Sequence, residues 1–112
     1  MYSSQLLKGT FQTIILNLLS EHKKMYGYEI SQKVKEASNG EILLPEGSLY
    51  PILHKMAEEG LVQTEKIHIG RRVRRYYTLT VAGDKEAESK IEEFERFVQT
   101  MKLLLGPKLK LS

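Results

Sequence analysis

The chain has 112 residues, 41% hydrophobic and 28% charged, the size and composition of one globular domain. It contains no cysteine, which excludes disulfides, thiol nucleophiles and thiolate metal sites and suits a reducing cytoplasm. A formal net charge of +3 only mildly favours a polyanionic partner, so the position of the charge matters more than its sum.

The N-terminus opens Met1, Tyr2, Ser3, Ser4, Gln5, with no basic run feeding an apolar stretch, so neither a signal peptide nor a membrane span is expected. From Leu7, the residues Phe11, Ile14, Ile15, Leu18 and Leu19 recur at helical spacing and predict an amphipathic first helix that fades over residues 20–24. A shorter helix follows through Ile30, Val34 and Ala37, with Gly27 in the turn before it and Asn39-Gly40 ending it in the left-handed conformation. The third helix carries Leu49, Ile52, Leu53 and Met56 on its core face and is closed by Gly60. Proline is tolerated in a first helical turn, where amides lack helical acceptors, so Pro51 places the start near Gly47 or Ser48, with Ser48 as cap.

Residues 61–67 and 73–79 are rich in β-branched and aromatic side chains and flank the connection Ile69-Gly70-Arg71-Arg72, a hairpin pattern. Thr80 then caps a fourth helix. Along it Ala87, Ile91, Phe94, Val98, Met101 and Leu105 alternate spacings of four and three, a coiled-coil-like seam with Phe97 and Leu104 beside it, until Gly106-Pro107 stops it. The chain is thus expected to be mainly α with a small β-hairpin. Residues 1–80 form a winged helix-turn-helix, 81–106 a long dimerisation helix, and 107–112 a frayed basic tail.

Between Lys66 and Gly83 there are five cations, Lys66, Arg71, Arg72, Arg74 and Arg75, and no acid. Arginine forks at a hairpin tip suit phosphate or minor-groove contact, although an edge hairpin also carries charge to prevent edge-to-edge association. The third helix presents Ser48, Tyr50, Pro51, His54 and Lys55 near its start and Glu58-Glu59 one turn later, as a helix whose leading half meets DNA would. One such module makes few base contacts, whereas two in a homodimer span half-sites about 34 Å apart. Catalysis finds no support. His22, His54 and His68 lie at no metal-ligand spacing, and the adjacent acids Glu58-Glu59 and Glu92-Glu93 point apart, so no metal, cofactor or enzymatic activity is expected.

Five segments carry a resemblance. They are Leu7-Lys8-Gly9, Tyr26-Gly27-Tyr28-Glu29-Ile30, Glu46-Gly47-Ser48-Leu49-Tyr50-Pro51-Ile52-Leu53, Glu59-Gly60-Leu61-Val62 and Arg74-Arg75-Tyr76-Tyr77-Thr78-Leu79-Thr80-Val81-Ala82-Gly83. In this order they resemble the signature blocks of the PadR family of bacterial transcriptional regulators, in its short form with a single C-terminal helix. The resemblance implies a cytoplasmic winged-helix homodimer that binds double-stranded DNA at a pseudo-palindromic operator, represses a nearby gene, and is released by a small hydrophobic effector. It implies that residues 47–55 (Gly47, Ser48, Tyr50, Pro51, His54 and Lys55) form the recognition helix, that Arg71 to Arg75 form the wing, and that the seam joins the dimer. Tyr28 and Tyr77 fall to packing and hydrogen bonding at helix junctions rather than to base reading. Two departures stand out: Val73 occupies a position where relatives often carry proline, and there is no tryptophan on the last helix to stack flat ligands, leaving Phe94 as the candidate effector contact. A ligand sensor for aromatic compounds at the dimer interface, and an interaction module that docks its wing on an acidic protein, are the competing readings.

Overall fold

The computed structural model describes residues 2–110. A short helix α1 (Ser4–Leu7) leads through Gly9 into α2 (Phe11–His22), and a three-residue strand β1 (Lys24–Tyr26) precedes α3 (Gly27–Ala37) and α4 (Glu46–Glu58). Strands β2 (Val62–Ile69) and β3 (Arg72–Leu79) form the hairpin, and α5 (Val81–Leu105) ends in a single 3-10 turn, Gly106–Lys108.

Helices α2, α3 and α4 each bury the stripe that their apolar spacing marks out. Ile15, Leu16, Leu18 and Leu19 of α2, Ile30 and Val34 of α3, and Leu49, Leu53 and Met56 of α4 meet Met25, Leu44, Leu61, Val62 and Tyr77 in one core. Full burial of such a side chain contributes roughly 1.5 to 3 kcal/mol of gross transfer free energy, so this cluster decides the fold. Helix α2 lies at its centre, packing on α3, the sheet and α5.

The terminators act where the sequence places them. Asn39 and Gly40 take φ of 53° and 79° after α3, Gly60 takes 76° after α4, and the Thr80 hydroxyl accepts from the Gly83 amide at 3.0 Å at the head of α5.

Five local expectations are corrected. The first helix is broken at Lys8-Gly9-Thr10, because Gly9 has φ of 92° and helical hydrogen bonds do not cross it. Gly27 is the first residue of α3, whose entry is held by the Glu29 carboxylate accepting from the Tyr26 amide at 3.0 Å. Helix α4 begins at Glu46 behind an extended Pro45, so Ser48 is not its cap, and Pro51 lies beyond the first turn. The Gly47 carbonyl thereby loses its helical donor, at an exposed position where water can replace it. The hairpin loop is only Gly70-Arg71, with Ile69 opposite Arg72; Gly70 at φ 64° followed by a residue of negative φ fits a type II′ turn. Lastly, residues 24–26, where no strand is expected and Lys24 closes the fading end of the first helix, form β1, which pairs with β3 to make an antiparallel sheet of order β1-β3-β2. The basic tail enters the 3-10 turn rather than fraying at once, and its residues 111–112 lie outside the described residues.

Candidate nucleic-acid interface

Strand register sorts the wing's charges onto two faces. Tyr77 is buried, and alternation places Val73 and Arg75 on its side of β3, opposite His68 and Lys66 of β2, with Thr64 opposite Tyr77 itself. Arg72, Arg74, Tyr76 and Thr78 fall on the other side, with Ile69, Ile67 and Glu65 across from the first three and Tyr26 of β1 beside Tyr76.

On that outer face, the Arg74 guanidinium sits 4.3 Å over the Tyr26 ring, which in turn meets Tyr76 edge-on at 5.4 Å. Hydrogen bonding to Tyr76 is the main influence that raises its pKa above the ordinary arginine value. Arg74 therefore braces β1 against β3, while Lys24 and Glu65 pair across the same face at 2.9 Å. Arg71 occupies the turn and Arg72 the first outer position of β3 after it, both exposed.

On the inner face, Lys66 and Arg75 stand directly opposite one another. Among the described residues no carboxylate lies within 4.0 Å of either. Like charges across a ladder repel, so this pair gains most from an anion supplied from outside. Arg75, Thr64 and Tyr77 face Tyr50, Leu53, His54 and Ala57 of α4 across a recess of about 170 Å³. Burial pushes the Tyr77 hydroxyl's pKa up, against the opposing pull of the Arg75 charge beside it.

The exposed start of α4 is less free than its sequence suggests. Tyr50 leans back over the head of α3, where a Cβ built on Gly27 would stand 2.6 Å from its hydroxyl. His54 Nε2 lies 3.2 Å from Glu58, one turn further along. Gly47, Pro51 and Lys55 are exposed and Ser48 is half-buried. Tyr28, expected at a helix junction, is instead 58% exposed on the second residue of α3, because it points away from the face on which Gly27 and Ile30 are buried.

On α5 the seam divides. Ala87 is 2% exposed and belongs to the chain's own core, so it does not offer itself to a second copy. Val98 and Met101 are half-buried, whereas Ile91, Phe94, Phe97, Leu104 and Leu105 are exposed, with the rings of Phe94 and Phe97 6.1 Å apart. Sequence reasoning missed Thr64 as a member of the recess and gave Tyr77 to packing and hydrogen bonding without placing it there; counting in twos from a buried Tyr77 would have found both and separated Arg75 from Arg74.

Three helices packed on a small antiparallel sheet, with a basic β2–β3 arm beside the third helix, define a winged helix-turn-helix. Residues 15–89 match the Transcriptional regulator PadR-like family, and the chain belongs to that family. It is 29% identical to a transcriptional regulator from Clostridium thermocellum, with a TM-score of 0.83 over 91% of this chain and 96% of that one. It is 31% identical to a PadR-like transcriptional regulator from Bacillus cereus, at 0.76 over 91% and 97%. An uncharacterized protein of Lysinibacillus sphaericus is 26% identical over 107 residues, 94% of this chain and 96% of that protein. The family is one of transcriptional regulators and not of enzymes, and PadR-family regulators bind DNA. No helix among the described residues is long and apolar enough to cross a membrane.

Proposed function

We propose that this protein is a repressor that binds a pseudo-palindromic operator as a homodimer in the bacterial cytoplasm, placing α4 in the major groove and the β2–β3 arm on the flanking backbone. The observation that carries this reading is the inner face of the wing, where among the described residues no carboxylate lies within 4.0 Å of Lys66 or Arg75, and where Arg75 faces Tyr50 and His54 of α4. Charge left without a counter-ion next to a groove-sized helix is the footprint of a phosphate-bearing partner. Gly47, Ser48, Tyr50, Pro51, His54 and Lys55 are the candidate groove-facing residues; Lys66, Arg71, Arg72 and Arg75 are the backbone contacts. Arg74 supports them through Tyr26.

The second copy is assigned to the distal half of α5. Ile91, Phe94, Phe97, Leu104 and Leu105 leave apolar surface uncovered on one arc of the helix, and each large side chain gains roughly 1.5 to 3 kcal/mol of gross burial when covered. A mobility-shift titration against the DNA upstream of the protein's own gene tests the whole reading. Retardation of that fragment and not of coding DNA is the expected outcome; equal affinity for both removes the operator.

A small hydrophobic effector is a second element of the proposal, favoured by the exposed Phe94–Phe97 pair. Flat aromatic compounds that prefer the native dimer are expected to raise its melting temperature and to release DNA. If the compounds shift melting but DNA binding is absent, the protein is the ligand sensor of the competing reading.

A further inference from the structure

A helix lying in a major groove and a hairpin gripping the next groove have one sugar-phosphate strand between them. The recess between α4 and β3 occupies that place on this molecule, and its walls are unusual for a gap between packed elements. The hydroxyl-bearing residues Thr64, Tyr77 and Tyr50 line it together with His54, Arg75 and the apolar Leu53 and Ala57. Among the described residues no carboxylate reaches Arg75, and Lys66 stands directly across the ladder from it. The Tyr77 hydroxyl is held beside Arg75 by a ring that is itself buried, so its position is fixed before any ligand arrives.

We infer that this recess is a seat for one phosphate group of a duplex backbone, with Arg75 as the charged fork and the Thr64, Tyr77 and Tyr50 hydroxyls as converging donors. The inference rests on the DNA-binding reading above and adds to it a particular contact: the phosphate locks the angle between α4 and the wing. A guanidinium offers two parallel donors to phosphate oxygens, and hydroxyls supply the remaining directions of a tetrahedral anion. Arg75 is thereby distinguished from Arg74, whose guanidinium is engaged over Tyr26 on the opposite face of the same strand.

The test is fluorescence anisotropy of the full chain with a labelled mixed-sequence duplex over a series of KCl concentrations. Arg75→Ala is expected to reduce the magnitude of the log-log salt slope by about 0.9 for each subunit bound, the value for one neutralised phosphate. Thr64→Val and Tyr77→Phe should weaken binding about two- to ten-fold while leaving the slope alone, as loss of uncharged donors does. Arg75→Lys should restore the slope without restoring full affinity, because charge returns and the fork does not. Arg75 and Thr64 are exposed, so unchanged melting curves for their variants establish that the fold is intact.

An unchanged slope in Arg75→Ala, with the wild type still binding duplex, overturns the seat and leaves the DNA-binding reading standing. Absence of salt-dependent duplex binding by the wild type overturns both. A second arm separates the source of the phosphate by adding inorganic phosphate to the free protein and following the Thr64 and Tyr77 amide resonances. Saturable shifts at millimolar phosphate, combined with an unchanged duplex slope in Arg75→Ala, assign the recess to a free anion and overturn the backbone seat.

Discussion

Lys23 turns the chain from α2 into β1 with φ of 69° and ψ of −57°, a conformation that costs a residue with a Cβ about 1 to 3 kcal/mol. Lys23 is exposed, and its replacement by glycine removes that strain without removing a core contact. Lys23→Gly is expected to stabilise the protein by about 1 kcal/mol in urea unfolding, less the extra entropy of a glycine in the unfolded chain. Gly83 illustrates the opposite constraint. It lies against the Leu61 carbonyl, where a Cβ would overlap backbone that cannot retreat, since the same carbonyl accepts from the Thr80 amide at 3.0 Å. Gly83→Ala is expected to cost about 3 kcal/mol or to prevent folding, and a urea midpoint equal to the wild type's would refute the close approach. Gly27→Ala differs in kind, because what it meets is the end of the Tyr50 side chain, which can swing outward. The expected result is a folded protein with altered sequence preference in a binding-site selection, since Tyr50 would meet the groove from a new direction.

Among the elements, α5 makes the sharpest demand on partnership. It packs on α2 and buries Ala87 in the core, while Phe94 and Phe97 further along are 44% and 53% exposed. Ile91→Asp is expected to give monomers by sedimentation and to weaken duplex binding sharply. Leu103 is more exposed than either phenylalanine, at 84%, yet it lies about 120° around the helix from Ile91 and outside the apolar arc. Leu103→Asp should therefore leave the dimer intact; dissociation by both variants would move the interface to another face. The helices were legible in the sequence because a buried stripe repeats over several turns, and Ile30 with Val34, or Leu49 with Leu53 and Met56, leave little choice of face. Strand β1 was not legible, since Lys24, Met25 and Tyr26 are too few to show an alternation and are made a strand by their partners Thr78, Tyr77 and Tyr76. The basic arm was visible as a cluster of charge. Its division into a bracing Arg74 and an inward Arg75 depends on register, and register came from the turn at Gly70-Arg71 and the burial of Tyr77, which composition does not reveal. The Ala87 position failed as a seam residue for a related reason: the same helical face serves the chain's own core at one end and open surface at the other.

The molecule as a whole is an elongated body of 56 × 29 × 22 Å, and the distal part of α5 carries uncovered apolar side chains. If two copies share the distal arc of α5, the melting midpoint is expected to rise as protein concentration is raised, and Ile91→Asp to lose that dependence. A midpoint that stays constant over a wide concentration range in the wild type points to folding as a single chain. The mild net charge of +3 acts in the same direction as the local arrangement, because acids concentrated on α5 keep their field away from the wing. Orientation on a duplex then follows from the asymmetry of charge within each copy rather than from its total.

The junction at Leu79, Thr80 and Val81 has no slack. Strand β3 becomes α5 across a single residue, whose hydroxyl donates to the Gly60 carbonyl at 2.6 Å and thereby fastens the corner between α4 and β2 to the same point. The arm, the corner and the long helix are consequently one stiff lever. If two copies cross at the distal arc of α5 as proposed, whatever alters their splay there, a wedge between phenyl rings or a change in temperature, is expected to open or close the far ends like the jaws of a calliper, with no loop in between to absorb the motion.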